Sequence, residues 1–183
     1  MKYENINNPD ELLEFISKYI NYGFISDENK IYKQINEEWK RDWYNKCIIQ
    51  SPSELLKSKY GTCFDRVELE RKWLEDNNYK VKSVCIIYCK EIPNDFIAHT
   101  FLYFIDNNKY YWIENAFDNL NGIFEYSDET SLLDAVKKMI MDYAIKKGKA
   151  NREDEKYLKL YEYIKPKDNI HINDFLNNIN VEL

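Results

Sequence analysis

The sequence predicts an α+β fold in which an antiparallel sheet lies between two sets of helices. In the first third of the chain, apolar residues recur three and four positions apart, which is the spacing of helices. The middle third consists of segments rich in β-branched and aromatic residues, which favour strands. Consecutive strands flanked by helices are typical of α+β domains. We expect one domain over residues 1–183, with a core at about 50–126 and helical flanks at 9–47 and 128–180.

Three helices are predicted before residue 61. The first begins at Pro9 and stops before Gly23. The second covers about residues 27–47, because apolar residues four apart form one stripe: Ile31, Ile35, Trp39 and Trp43. The third begins at Ser51-Pro52-Ser53-Glu54, where the serine caps the helix, proline takes the first position and glutamate lies three residues after the cap.

A fourth helix is predicted to begin at Cys63, directly after Gly61 and Thr62, and to run through Leu74 as an amphipathic segment. A cysteine in the first turn lies at the positive end of the helix dipole, beside backbone N–H groups that have no partner within the helix. Both features stabilise a thiolate, which is the reactive form of the side chain. Cys63 is therefore a candidate nucleophile.

Strands are predicted at residues 81–89, 97–105, 109–114 and 122–126. Asn107 and Asn108 separate the second strand from the third, and asparagine tolerates the positive φ of a two-residue type I′ hairpin loop. Such a loop pairs Asp106 with Lys109. Helical spacing returns at about residues 128–147, 152–164 and 173–179.

The hairpin determines which side chains share a face of the sheet. Pairing of Asp106 with Lys109 also pairs Phe101 with Glu114, and His99 points to the same face as Phe101 because side chains alternate along a strand. Glu114 is then a diagonal neighbour of His99, at about 7–8 Å between Cα atoms, which a glutamate side chain can bridge. We expect the Cys63 helix to pack on this face.

Cysteine, histidine and acid in this arrangement indicate nucleophilic acyl chemistry. Cys63 would attack, His99 would act as the base, and Glu114 would orient the imidazole and stabilise its charged form. The backbone N–H of Cys63 would be one donor of an oxyanion hole. Candidates for the second donor or for a pocket wall are Gln50, Trp39 and Trp43.

Composition narrows the class of protein. The formal net charge is −6 and the pI is near 5.1, which argues against binding a nucleic-acid backbone. No apolar stretch approaches the roughly 18 residues of a membrane span, and the N-terminal segment has no apolar core like that of a signal peptide. We therefore expect a cytoplasmic protein whose four cysteines are thiols.

No cofactor or metal is expected. Cys85 and Cys89 lie four apart on a predicted strand, roughly 13 Å from each other, which is too far for a disulfide. A zinc site would need two further ligands, so core packing explains these cysteines better. The other histidine, His171, lies near Asn173 and Asp174 at a helix start, where a capping or surface role is expected.

Over about residues 50–126 the chain resembles the transglutaminase-like superfamily, which shares the papain-like cysteine-protease core, and in particular its small bacterial members. The matching segments are Tyr60-Gly61-Thr62-Cys63-Phe64-Asp65, Ala98-His99-Thr100-Phe101 and Tyr110 through Glu114. The resemblance implies a Cys63–His99–Glu114 triad and a thioester acyl-enzyme intermediate. The third member is usually aspartate, so Asp118 is an alternative to Glu114.

The sequence thus predicts a cysteine-dependent acyl hydrolase or acyltransferase that acts on a peptide, a protein or a small amide. It leaves open whether water or an amine resolves the intermediate, and it does not indicate an oligomeric state. One alternative is a binding protein that kept the fold without turnover. Another is a redox-sensing thiol protein, which is disfavoured because no second cysteine is evidently placed to resolve a sulfenic acid.

Overall fold

The computed structural model describes residues 2–90, 96–117, 120–179 and 181. The α-helices are α1 (Pro9–Tyr19), α2 (Glu37–Lys46), α3 (Pro52–Ser58), α4 (Cys63–Asp76), α5 (Glu129–Lys146) and α6 (Ile172–Asn178). The strands are β1 (Asn21–Tyr22), β2 (Phe24–Ile25), β3 (Ile31–Tyr32), β4 (Ile48–Ile49), β5 (Tyr60–Gly61), β6 (Lys80–Tyr88), β7 (Ile97–Asp106), β8 (Lys109–Glu114), β9 (Gly122–Tyr126), β10 (Leu158–Tyr163) and β11 (Ile170–His171).

Five strands form the main sheet, in the order β10-β6-β7-β8-β9, and every neighbouring pair is antiparallel. The predicted α+β class is therefore confirmed. The hairpin between β7 and β8 also has the predicted turn, since Asn107 and Asn108 have φ angles of 48° and 62° and Asp106 pairs with Lys109. This register places the end of β8 beside the beginning of β7.

The sheet separates two apolar clusters. On one face Leu102 and Phe104 of β7 pack in the cluster that contains α4 and the N-terminal helices. On the other face Phe101 and Tyr103 pack with α5. Strand alternation puts His99 on the second face, with Phe101.

Helix α4 is buried on nearly all sides, with 11 of its 14 residues inaccessible to solvent. The prediction of an amphipathic helix here is wrong, because the sheet covers one side and α1 and α3 pack on others. The buried set includes five charged residues: Asp65, Arg66, Glu68, Glu70 and Arg71. Arg71 and Glu68 neutralise each other, with Nε 3.1 Å from Oε2. Each remaining charge needs a local partner of its own.

The second predicted helix is ten residues shorter at its start than expected. Helix α2 begins at Glu37 after the N-cap Asn36, and β2 and β3 form a small hairpin before it, with Phe24 opposite Tyr32. Asn29 takes a left-handed turn conformation in the connection (φ 61°). Ile35, which the helical stripe assigned to an apolar face, is 64% exposed. The polar turn between β2 and β3 therefore determines the structure of this segment, which is not the helix that the apolar spacing predicts.

The predicted helix over residues 152–164 is also wrong. Only Arg152–Tyr157 are helical, as a 3-10 segment, and Leu158–Tyr163 form the edge strand β10. Its pairing with β6, from Leu158 opposite Tyr88 to Tyr163 opposite Ser83, supplies backbone hydrogen bonds that sequence spacing does not reveal. The spacing of apolar residues in this segment fits a helix or a strand, and the pairing with β6, which is distant in sequence, makes it a strand.

Other predicted helices are confirmed to within a few residues. Ser51 and Glu54 form the expected capping box at the start of α3, and Asn8 caps α1. Asp128 caps α5 by accepting a hydrogen bond from the backbone of Ser131. None of the helices in the described ranges is long and apolar enough to cross a membrane.

Gly61 allows a close approach at the start of α4. A Cβ at this position would lie 2.6 Å from Leu55 Cδ1 and 2.9 Å from Asp65 Cβ. We expect Gly61→Ala to lower the free energy of unfolding by about 1–3 kcal/mol, because two buried neighbours must move. Urea unfolding measures this change. Gly122→Ala is the control: its Cβ would first meet the ring tip of Phe124 at 3.1 Å. An equal or larger loss in Gly122→Ala would contradict the packing described for Gly61.

Candidate active site

The first turn of α4 is built around the carboxylate of Asp65. Its Oδ2 accepts hydrogen bonds from the Thr62 backbone N–H (2.7 Å) and from the Thr62 hydroxyl (2.9 Å). The Asp65 carboxylate therefore holds the N-cap residue Thr62 from within the first turn and determines where the helix starts. Cys63 is the first helical residue, as predicted, and is 5% exposed.

Asp65 also holds the segment before α3. Its Oδ1 accepts the backbone N–H of Gln50 at 2.8 Å. Burial raises the pKa of Asp65 to about 6, although these hydrogen bonds act in the opposite direction. This carboxyl group is a positioning element for the loop beside Cys63.

The Gln50 side chain does not offer a free donor. Its Nε2 donates to the Tyr60 carbonyl at 2.8 Å and to Asp65 Oδ1 at 3.4 Å, and its Oε1 accepts the hydroxyl of Ser58 at 2.8 Å. The expectation that Gln50 supplies an oxyanion donor is corrected accordingly. Gln50 instead links the residues before Cys63 to α4. The sequence gives no indication that the hydrogen-bond partners of this side chain are all internal.

His99 and Glu114 meet across β7 and β8. The imidazole Nε2 lies 2.8 Å from Glu114 Oε2, and both side chains are buried. The second oxygen of Glu114 accepts the backbone N–H of Ala116 at 2.7 Å. Both carboxylate oxygens are therefore engaged, and the orientation of the imidazole is determined by the hairpin register.

The thiol of Cys63 is the other partner of the imidazole. A side-chain hydrogen bond with Cys63 is among the causes that raise the pKa of His99. The expectation that α4 packs on the His99 face of the sheet is wrong, since α4 lies on the Leu102 face. The first turn of α4 lies at the end of the strands, where the Arg66 guanidinium reaches the carbonyl of Asn115, directly after β8.

The electrostatics of the site favour an imidazolium. Burial alone lowers the pKa of His99, but the carboxylate of Glu114 and the hydrogen bond and charge of Cys63 outweigh it and raise the pKa to about 10. His99 is then positively charged at neutral pH. A positive imidazole stabilises an adjacent thiolate, which is what a cysteine nucleophile requires.

Aromatic rings surround the site on two sides. Trp43 lies 6.1 Å from the ring of Phe64, the residue after Cys63, and 6.0 Å from the ring of Phe96. On the His99 side, the ring of Phe117 contacts the imidazole edge-on, with 5.0 Å between the ring centroids. The same Phe117 ring also contacts the ring of Tyr143 on α5, at a centroid distance of 5.2 Å. These rings exclude water from the imidazole and supply apolar walls.

The two predicted tryptophans have different positions. Trp43 is half-buried and packs against Phe64, which fits a pocket wall. Trp39 is buried and stacks on Tyr22 at 5.9 Å, so it supports the site through that ring. Tyr22 was missed in the sequence; β1 pairs it with Gly61, two residues before Cys63.

Three further residues beside the site were also missed: Arg66, Glu70 and Asn115. Arg66 and Glu70 follow Cys63 by three and seven positions, so these two residues lie on the same face of α4 as Cys63. That spacing is a usable signal, but exposed charges on an amphipathic helix were expected there. Asp118, the alternative acid, lies outside the described residues.

Within the described ranges, no three His, Cys, Asp or Glu side chains are grouped as metal ligands. Cys85 is buried in the core, and burial raises its pKa and that of Cys47 well above the usual value. His171 precedes α6 as its N-cap residue and makes no side-chain capping bond there.

The chain was compared with known protein families, curated proteins and solved structures. A family model described as a transglutaminase-like domain matches residues 2–141. Neither the comparison with curated proteins nor the comparison with solved structures gave a match.

The raised pKa of His99 makes protein stability depend on pH. A group whose pKa is higher in the folded than in the unfolded state stabilises the fold fully below the unfolded value, near 6.5, and loses that contribution as the pH rises through about 10. We expect the unfolding free energy of the protein, relative to that of His99→Gln, to fall by on the order of 4 kcal/mol between pH 6.5 and 10. Urea unfolding of both proteins at each pH measures the difference. A difference independent of pH would contradict a buried imidazolium.

Proposed function

The chain belongs to the transglutaminase-like family, and we propose that it is a cysteine-dependent acyl hydrolase or acyltransferase acting on a peptide, a protein or a small amide. The single observation that carries this proposal is the buried imidazole of His99 between the carboxylate of Glu114 and the thiol of Cys63. The three residues supply a nucleophile, a proton carrier and an orienting acid.

In the first half of the reaction, Cys63 Sγ attacks the carbonyl carbon of the amide as a thiolate. The C–N bond then breaks while the charged His99 gives its proton to the departing amine, which leaves neutral. A thioester joins the acyl group to Cys63. Glu114 keeps Nε2 engaged throughout, so the proton would be transferred through the other ring nitrogen, Nδ1.

In the second half, a water or an amine attacks the thioester, and neutral His99 accepts its proton. The Sγ–C bond breaks and Cys63 returns as a thiolate. Water gives hydrolysis, whereas an amine gives acyl transfer. The oxyanion formed in each half would accept a hydrogen bond from the backbone N–H of Cys63, because first-turn N–H groups have no partner in the helix.

The intact set of three side chains favours an enzyme over a binding protein that kept only the fold. A binding protein gains nothing from a buried charged imidazole, whose desolvation is unfavourable unless ionic partners compensate it. A redox-sensing role needs a thiol able to resolve an oxidised Cys63. Cys47 and Cys85 are buried among core residues instead.

Selective alkylation tests the nucleophile. We expect iodoacetamide at neutral pH to modify Cys63 faster than Cys89, although Cys89 is the more accessible of the two. Peptide mass spectrometry over a time course gives both rates within one sample. His99→Ala should slow modification of Cys63 and leave the rate at Cys89 unchanged. Faster labelling of Cys89 than of Cys63 would show that accessibility, and not activation, controls reactivity.

The acid is tested by two neutralising substitutions. We expect Glu114→Gln to lower the alkylation rate of Cys63, and amide turnover once a substrate is found, by on the order of 10²-fold. The loss should be smaller than the roughly 10⁴-fold effect in serine proteases, because a thiolate–imidazolium pair depends less on its third member. Asp118→Asn serves as the matched control and should have a much smaller effect. If Asp118→Asn were the more damaging change, Asp118 would be the acid.

A further inference from the structure

A second carboxyl group lies next to the site without a part in the proposed reaction. Glu70 is on α4, two turns after Cys63, and is only 1% exposed. Glu68 pairs with Arg71 and Asp65 caps the helix, whereas Glu70 accepts a hydrogen bond from the side-chain Nδ2 of Asn115. A buried acid in contact with the segment that carries the triad acid needs an explanation.

Asn115 directly follows Glu114, and α4 holds it from two directions. Arg66 Nη1 donates to the backbone carbonyl of Asn115 and lies 3.4 Å from its Oδ1, while Glu70 accepts from its Nδ2. Arg66 Nη2 is itself held by the carbonyl of Ile20 at 2.9 Å. The helix that carries the nucleophile therefore also restrains the residue next to the orienting acid.

Charged side chains from three elements of the fold act on Glu70. Arg66 lies on α4 itself, Glu114 on β8 and His99 on β7, and Asn115 is the uncharged contact from the loop. Cys63 lies on the same face of α4, beyond Arg66. The positive charges that act on Glu70 are therefore those of Arg66 and His99, and the negative one is that of Glu114.

We propose that Glu70 is a positioning residue for the Glu114–His99 pair: its neutral carboxyl holds Asn115 in place, and its ionised form adds a negative charge that strengthens the hold on the imidazolium. This inference rests on the proposed function for its biological meaning, but not for its test. The pKa of Glu70 is raised to about 8, mainly by burial, with the charge of Glu114 acting in the same direction. The ionisation of Glu70 therefore falls within the pH range in which many enzymes operate.

The consequence for His99 has a definite sign. Around pH 10, where His99 titrates, Glu70 is ionised and favours the imidazolium. Glu70→Gln keeps the size of the side chain and an oxygen that accepts the Asn115 amide, but it removes the charge. The apparent pKa of His99 should therefore fall by on the order of one pH unit in this variant.

The test is a titration of ¹⁵N-labelled histidine by NMR, with His171→Gln used to assign the second imidazole. In the native protein we expect the His99 resonances to move in two steps, near pH 8 and near pH 10. In Glu70→Gln the first step should vanish and the second should move to lower pH. Glu75→Gln removes one charge from an exposed position of the same helix and should leave both steps unchanged.

Identical His99 titrations in the native protein and in Glu70→Gln would overturn the proposal, as would a single step in the native protein. The native titration needs no substitution at position 70, so the proposal remains testable if Glu70→Gln fails to fold. Because the readout is the imidazole itself, failure here is distinct from failure of the proposed function. The latter would appear as an unreactive Cys63 in the native protein.

Discussion

The structure depends most on the buried imidazole of His99 and its contact with the carboxylate of Glu114, which raises the pKa of the imidazole. A desolvated cation is strongly unfavourable unless its partners are held at hydrogen-bond distance. Three separate features keep them there. The Asn107–Asn108 turn brings Glu114 opposite β7, the Asp65 cap fixes the start of α4 at Cys63, and Ala116 holds the free oxygen of Glu114. A change in any of them leaves a buried charge without compensation.

The central helix meets a related constraint. Helix α4 lies inside the protein although five of its buried residues are charged. Each is compensated locally: Glu68 by Arg71, Asp65 by backbone donors, and Arg66 by the carbonyls of Ile20 and Asn115. Glu70 accepts a hydrogen bond from the side chain of Asn115. These polar contacts link α4 to the N-terminal segment and to the loop after β8, so the site and the core share one set of interactions.

Local chemistry in the sequence predicted much of this arrangement. Two adjacent asparagines at a tight turn and alternation along β7 and β8 were enough to bring His99 and Glu114 together. A capping serine with a glutamate three residues later predicted the start of α3. Each of these inferences used residues close in sequence, where the physical rules are strong.

What the sequence did not reveal depends on contacts between distant segments. The segment Leu158–Tyr163 is a strand because it pairs with the edge of β6. Gln50 faces inward because Asp65 accepts a hydrogen bond from its backbone N–H and Tyr60 accepts one from its side chain. The face on which α4 packs was not correctly inferred either, because it depends on the cluster that α4 forms with the N-terminal helices. Burial of Arg66 and Glu70 followed from the same packing, although their spacing from Cys63 places them on one face of α4.

The most direct measurement of the central claim is capture of the acyl-enzyme. The protein would be mixed with p-nitrophenyl acetate, quenched in acid, and analysed by peptide mass spectrometry before and after treatment with neutral hydroxylamine, which cleaves thioesters. The account predicts one hydroxylamine-sensitive acetyl group, on Cys63, formed in a rapid burst that His99→Ala abolishes. Acetylation of Cys63 at the same rate in His99→Ala, or no thioester on Cys63 in the native protein, would contradict it.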